Sequence, residues 1–210
     1  MLLLEDKIQT NKSLFIAKVI AVSKVLEINP DWLMAVMWHE SRLNQAAVNS
    51  INCVGLIQFC PPTYQAWGFT KWEILLLSNV AQMDLVLRYY LPFKGKIKHP
   101  IEMFLIAFYP WAFSQGKLKN SAYVFGSEQS DTWAASVARS NPGFDINKDG
   151  KITMKEYIKY HNDYFKTIGI PQYRNVNLLL VAGVGVALVG TVVIVSKGIK
   201  KNKFLKKFIK

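Results

Sequence analysis

Glu40 is the residue of this sequence best placed to act as a buried acid. It ends the segment 32–40, which is apolar almost throughout. Burial against apolar groups penalises the carboxylate anion, so a carboxyl in such surroundings can stay protonated near neutral pH and act as a general acid. The local pattern leaves two alternatives open: a surface glutamate at a helix end, or a buried one paired with His39 or Arg42 for structure.

The segment Gly55-Leu56-Ile57-Gln58 follows Glu40 after a polar turn. If it folds back over the helix end, the two together form a cleft with a single acid. Cys53 and Cys60 flank this segment, and no other Cys or His pair lies nearby at metal-ligand spacing. We interpret both cysteines as small buried apolar residues, with a local disulfide as the alternative.

Residues 145–156 fit the twelve-residue EF-hand calcium loop, with oxygen-bearing side chains, a glycine and an apolar residue at the diagnostic positions. The alternative is a polar turn that contains glycine. Residues 138–144 make a poor entering helix, so we expect a single structural site. The predicted Ca²⁺ ligands are Asp145, Asn147, Asp149, Lys151, Thr153 and Glu156.

Apolar periodicity predicts a mainly α fold for residues 1–170. A helix over residues 14–26 is ended by Asn29-Pro30, and Asp31 is the predicted N-cap of the next helix. Strand signals are weak. Further helices are predicted at about 61–67, 71–91, 100–111 and 131–140.

A short linker, 171–175, leads to an uncharged stretch, 176–196, which is long enough as a helix to cross a bilayer. A buried core helix is the alternative. The tail, 197–210, carries seven lysines and no acid, and thus +7 of the net charge of +12. We predict a transmembrane helix whose basic tail contacts anionic lipid or packaged nucleic acid.

These features predict a single-pass membrane protein of a viral internal membrane or of the bacterial cell envelope. The opening residues, with Glu5 and Asp6 directly after Met1 to Leu4, are not typical of a signal peptide. A viral location would place the tail toward the genome and the domain toward capsid partners. Small residues in the span, Gly183, Gly185, Ala187 and Gly190, would allow helix pairing and a homo-oligomer.

Residues 40–44, 47–48, 55–59 and Pro61 together resemble the signature of the soluble lytic transglycosylases, lysozyme-like enzymes that cleave peptidoglycan. The resemblance implies a lysozyme-like helical domain in which Glu40 is the catalytic acid and then the base. It also implies that Ser41 and Gln58 line the cleft and hold the acid and the sugar. Some relatives in this family also carry a calcium loop.

The sequence departs from the family pattern at Gln45, Asn49, Cys53 and Ile57 and, downstream, at an Ala-Tyr-Asn-Ala-Gly motif whose tyrosine touches the catalytic acid. The matching region here reads Ala107-Phe108-Tyr109-Pro110-Trp111. A hydroxyl is available there only if Tyr109 points inward, and we expect Tyr109 to contact substrate on that basis.

The resemblance implies cleavage of the β-1,4 bond between N-acetylmuramic acid and N-acetylglucosamine with a 1,6-anhydro product, plausible for phage entry through the cell wall. A hydrolysing muramidase is one alternative. The other is a membrane-anchored structural protein that keeps the fold and binds wall or capsid.

Overall fold

Helices make up most of the regular structure in the computed structural model, which describes residues 1–174. The mainly α prediction is confirmed for these residues. In chain order the helices are α1 (Lys12–Leu26), α2 (Pro30–Ser41), α3 (Pro61–Ala66), α4 (Lys71–Leu75), α5 (Asn79–Tyr90), α6 (Pro100–Phe108), α7 (Pro110–Ser114), α8 (Asp131–Ser140) and α9 (Met154–Ile168).

The predicted membrane-spanning helix at 176–196 and the basic tail at 197–210 lie outside the described residues. Among residues 1–174, no helix combines the length and the apolar character that crossing a membrane requires.

Helix α2 lies in the core, as its apolar sequence predicts, because α1 and α6 pack against it. Helix α1 contributes Phe15, Val19 and Leu26 to this core, each fully buried. The fully buried residues of α2 are Leu33, Met34, Ala35, Val36 and Met37. This burial fixes the position of the last turn of α2, which carries Glu40.

Asn29, and not Asp31, is the N-cap of α2. Its side-chain oxygen accepts a hydrogen bond from the Asp31 backbone N–H at 2.9 Å, and Pro30 takes the first helical position, where a missing N–H costs nothing. The Asp31 carboxylate instead accepts from the Leu3 N–H at 2.8 Å. It therefore ties the N-terminal segment to the start of α2.

Two predicted helices are each broken into two. The stretch 71–91 divides into α4 and α5 because Ser78 caps a new helix, accepting a hydrogen bond from the Ala81 N–H at 3.1 Å. The stretch 100–111 divides at Tyr109, whose φ of −150° lies outside the helical region. Pro110 follows directly, and a proline disfavours helical geometry in the residue before it.

Helix α9, the last helix of the described residues, packs against α2 and braces it. The Tyr164 hydroxyl donates to the Ala35 carbonyl at 3.0 Å, and Tyr164, His161 and Phe165 surround Phe104 of α6. The start of α9 is held by the segment 123–125, since the Met154 N–H donates to the Tyr123 carbonyl at 2.8 Å. A displacement of α9 would therefore disturb its contacts with α2.

Candidate active site

The Glu40 carboxylate is partly exposed to solvent, although the helix that carries it is buried. Helix α2 ends directly after it because Arg42 and Leu43 adopt left-handed φ values of 57° and 60°. The Glu40 side chain is 27% exposed, whereas the central residues of α2 have no exposure. The acid is therefore less buried than the sequence suggests, and a substrate can reach it.

His39 is the hydrogen-bond partner of the acid. Its Nδ1 lies 3.3 Å from Glu40 Oε1, and its Nε2 lies 3.4 Å from the Tyr160 hydroxyl. Beside it, His161 is fully buried, and this burial, followed by the charge of His39, lowers the pKa of His161 to about 3. His161 is therefore neutral at neutral pH, and its Nδ1 lies 3.0 Å from the Tyr157 carbonyl.

The charge of the acid acts on tyrosines of α5 and α9, which sequence patterns did not reveal. Burial and then the charge of Glu40 raise the pKa of Tyr89 to about 12. Burial is also the largest cause of the raised pKa of Tyr90, Tyr157 and Tyr164, and the charge of Glu40 adds to it at each. The charge of Glu40 thus acts on tyrosines from helices far apart in sequence.

Ser41 contacts the loop that follows α2. Its side chain is buried, and its hydroxyl lies 3.0 Å from the Met37 carbonyl and 2.9 Å from the Leu56 carbonyl. A single hydroxyl hydrogen can serve only one of the two at a time. The bond to Leu56 joins the end of α2 to the Gly-Leu-Ile-Gln segment and so places that segment beside Glu40.

The Gly-Leu-Ile-Gln segment forms a tight turn between Val54 and Phe59. These two residues exchange backbone hydrogen bonds of 2.9 and 2.8 Å across it. Gly55 has a φ of 79°, and a Cβ there would lie 2.5 Å from the Gln82 side-chain oxygen. Glycine suits this position, because other residues are strained at this φ and a Cβ would displace the Gln82 side chain.

Gln82 of α5 holds this turn and was not singled out from the sequence. Its side chain is fully buried; the oxygen accepts from the Leu56 N–H at 3.0 Å. Its amide group donates to the carbonyls of Gln45 at 2.8 Å and Ile74 at 3.0 Å. Gln82 therefore satisfies three backbone groups of three separate segments.

Gln58 turns its side chain into its own loop. The Nε2 group donates to the Gly55 carbonyl at 3.1 Å and lies 3.5 Å from the Ala47 carbonyl. The residue has a φ of 53° and is partly buried. Its amide is thus used within the turn, and a sugar would have to compete with these carbonyls for it.

Cys53 and Cys60 form a disulfide, so the interpretation as two unpaired apolar residues is wrong. Cys53 is buried, in keeping with the rest of that interpretation, while Cys60 is only partly so. The bridge closes the turn that carries Gly55 to Gln58. A closed loop has fewer conformations in the unfolded chain, which stabilises the folded turn.

Tyr109 points its hydroxyl to Glu128, not to Glu40. The second Glu128 oxygen accepts from the Tyr123 hydroxyl at 2.8 Å, so one carboxylate bridges two tyrosines. Phe108 packs its ring parallel to that of Tyr157, with centroids 5.5 Å apart and an interplanar angle of 12°. In this structure the Tyr109 hydroxyl therefore binds Glu128, and Phe108 has no hydroxyl to offer the acid.

The predicted calcium loop folds around its own backbone N–H groups. Asp145 accepts from Asp149 and Gly150, at 3.1 and 3.0 Å, and the Asn147 side-chain oxygen also accepts from Asp149, at 3.0 Å. Gly150 has a φ of 81°. These bonds turn the side-chain oxygens toward the inside of the loop.

Glu156 joins the loop to α9. One of its oxygens accepts from the Asn147 N–H at 3.2 Å, and the other accepts from Thr153, forming the capping box of α9. Among residues 1–174, no three His, Cys, Asp or Glu side chains converge closely enough to hold a metal by themselves. A cation here would draw on amide, hydroxyl and carbonyl oxygens as well.

Residues 18–78 match the family model of the transglycosylase SLT domain. The matched stretch begins within α1 and contains Glu40, Ser41, the Gly-Leu-Ile-Gln turn and both cysteines. It supports the resemblance seen in residues 40–61 and covers less than half of the chain. No curated protein shows significant sequence similarity to the chain.

Proposed function

We propose that this protein is a peptidoglycan lytic transglycosylase with Glu40 as its single acid and base. The observation that carries the proposal is the partly exposed Glu40 carboxylate at the end of a buried helix, inside the stretch that matches the SLT domain. The helical fold of residues 1–174 is consistent with a lysozyme-like domain.

The proposed reaction uses one carboxyl group twice, first as an acid and then as a base. The Glu40 carboxyl donates its proton to the glycosidic oxygen as the bond from that oxygen to C1 of N-acetylmuramic acid breaks. The Glu40 carboxylate then takes the proton of the muramoyl 6-hydroxyl, whose oxygen bonds to C1. A 1,6-anhydro ring closes, N-acetylglucosamine leaves with its 4-hydroxyl, and Glu40 is again protonated.

Glu73, the next acid after Glu40 in the sequence, is used in a helix cap. Its carboxylate accepts from the backbone N–H and the hydroxyl of Thr70, at 2.7 and 2.8 Å. These hydrogen bonds lower the pKa of Glu73. Because hydrolysis by paired carboxylates needs a second acid at the bond, the capping role of Glu73 favours the one-acid reaction.

Mass spectrometry of peptidoglycan fragments tests the proposed function. The full-length protein, incubated with purified peptidoglycan, is expected to release fragments that end in 1,6-anhydromuramic acid. Reducing ends in their place would indicate a hydrolysing muramidase. No cleavage would indicate a structural protein that keeps the fold without the reaction, and would contradict the proposal.

We further propose that residues 145–156 bind a structural Ca²⁺ ion. The donor chemistry fits a hard cation, since the side-chain oxygens of Asp145, Asn147 and Asp149 all accept hydrogen bonds from backbone N–H groups of the loop itself. The ion would neutralise the carboxylates of Asp145 and Asp149 and fix the start of α9. Since α9 braces α2, calcium would stabilise the helix that carries Glu40.

Calcium is expected to raise the melting temperature of the full-length protein, and Asp145→Asn is expected to remove most of that rise. At a calcium concentration of about 100 times the dissociation constant, the gain is about 2.7 kcal/mol, or roughly 5 to 10 °C. Asp84→Asn is the matched control, because Asp84 pairs with Lys18 on the surface of α5. Equal melting temperatures in calcium and in chelator would contradict the site.

We also propose that residues 176–196 anchor the protein in a membrane, with the lysines of 197–210 contacting anionic lipid. The support is the uncharged stretch and its basic flank. The full-length protein should stay in the membrane pellet during alkaline carbonate extraction, and its release into the supernatant would contradict the anchor. Recovery from purified virions or from cell envelopes would distinguish phage entry from a cellular role.

A further inference from the structure

Glu128 is an exposed acid whose carboxylate is held in place by two tyrosines. One of its oxygens accepts a hydrogen bond from the Tyr109 hydroxyl, and the other accepts from the Tyr123 hydroxyl at 2.8 Å. A carboxylate has about four acceptor positions, so about two of those on Glu128 stay available to a ligand.

The Glu128 carboxyl is charged at neutral pH. Burial opposes its ionisation, but the hydrogen bonds from Tyr109 and Tyr123 and the charge of Lys117 together lower its pKa. The charged group can only accept hydrogen bonds, so a ligand that fits it must offer O–H or N–H donors.

Trp111 of α7 lies on one side of this carboxylate. It is 39% exposed, and its ring centroid lies 6.4 Å from that of Tyr123. Lys117 Nζ lies 5.6 Å from the centroid of each of these two rings. Because one cation already contacts this aromatic surface, a neutral ligand suits it better than a second cation.

Trp133 of α8 contacts the other tyrosine. It is 46% exposed and packs over Gly126, where a Cβ would lie 2.8 Å from Trp133 Cδ1. Burial and then the hydrogen bond to Glu128 raise the pKa of Tyr109, and a hydrogen bond with the Trp133 side chain opposes that rise. The contacts therefore run from one exposed indole ring to the other through the two tyrosines and Glu128.

A sugar ring with adjacent donors fits this combination of groups. The C–H faces of a pyranose pack against aromatic rings, while its O–H and N–H groups need acceptors. In N-acetylglucosamine, the C3 hydroxyl and the acetamido N–H at C2 are neighbouring donors that one carboxylate can accept together. In N-acetylmuramic acid, the C3 oxygen is an ether and has no hydrogen to donate.

We propose that Glu128, Trp111 and Trp133 form a binding site for N-acetylglucosamine units of a glycan strand. The choice of ligand rests on the proposed function. Glu128 accepts the two neighbouring donors of the sugar, and the indole rings pack against sugar faces. The site binds the strand and takes no part in the proton transfers at Glu40.

Chitotetraose, a soluble oligomer of N-acetylglucosamine, is the probe, and calorimetric titration of the full-length protein in detergent measures its Kd. Glu40→Gln is present in every protein titrated, so that no bond is cleaved. Adding Glu128→Gln is expected to raise Kd about 10- to 100-fold, because the amide replaces one acceptor by a donor and removes the charge. Asp131→Asn removes a charge at another exposed position and should leave Kd unchanged.

Trp111→Ala tests the aromatic part of the site. It is expected to raise Kd about 3- to 10-fold through the loss of one aromatic packing contact. Trp72→Ala is the matched control, because Trp72 is 65% exposed and also has a lysine over its ring, Lys71 at 4.7 Å. This variant should bind like the parent protein.

Equal Kd values for Glu128→Gln and Asp131→Asn, or no binding of chitotetraose by the parent protein, would overturn the site. The melting temperature of Glu128→Gln should stay within a few degrees of the parent value, since the residue is exposed. A wild-type protein that cleaves no peptidoglycan would overturn the proposed function, whatever the titrations show.

Discussion

Replacing Glu40 by Gln is expected to lower the rate of peptidoglycan cleavage by a factor of about 10³ or more, because the amide can neither donate a proton to the glycosidic oxygen nor take one from the 6-hydroxyl. The fold should be unaffected. The side chain is 27% exposed, and its hydrogen-bond partner is His39, which can bond to an amide oxygen as well. Cleavage rate and melting temperature together check this expectation.

Glu27→Gln is the control for that variant. Glu27 follows α1 and forms an ion pair with Lys94 at 3.4 Å, with 59% of its side chain exposed. Such surface pairs contribute little to stability, so Glu27→Gln should match the wild type in both rate and melting temperature. A Glu40→Gln protein that cleaves at the rate of Glu27→Gln would refute the role of Glu40.

Gln82→Leu is expected to destabilise the protein by about 3 to 5 kcal/mol. The leucine fills a similar volume but leaves the Leu56 N–H and the carbonyls of Gln45 and Ile74 without partners in a buried place. Cleavage should also fall, since these bonds hold the turn beside Glu40. Urea unfolding of the full-length protein measures the loss.

The matched control is Gln65→Leu, the same change at an exposed position of α3. It should alter the unfolding free energy by about 0.5 kcal/mol or less. If the two variants unfolded at the same urea concentration, Gln82 would not clamp the turn.

Local patterns predicted the parts of the site that lie close together in sequence. The uninterrupted apolar character of α2 indicates a buried helix, and Glu40 is indeed placed at its end. The spacing of residues 145–156 predicts a turned loop, and Gly150 has the positive φ that such a turn requires. Periodicity also indicated the helical class, since α1 and α2 have few polar residues on their buried faces.

Features that depend on distant segments were missed or predicted wrongly. In the sequence, Gln82 looks like an ordinary polar residue of an amphipathic helix. Its burial is explained only by the fold, which brings the Gly55 turn against it. Ser41 follows the acid directly, and only the fold shows that its hydroxyl binds the Leu56 carbonyl. The capping role of Asn29 was missed because Asp31 is an equally good cap by residue type.

The region 107–111 shows why a motif cannot be carried over by position alone. Tyr109 has the expected hydroxyl, but Pro110 ends α6 and the tyrosine turns to Glu128.

The most direct test of the central claim counts anhydro ends. Peptidoglycan is incubated with the full-length protein or with its Glu40→Gln variant over the same time course, and 1,6-anhydromuramoyl fragments are quantified by mass spectrometry. We predict that these fragments accumulate with the wild-type protein and are absent with the variant. Equal accumulation with both proteins, or none with either, would contradict a one-acid transglycosylase centred on Glu40.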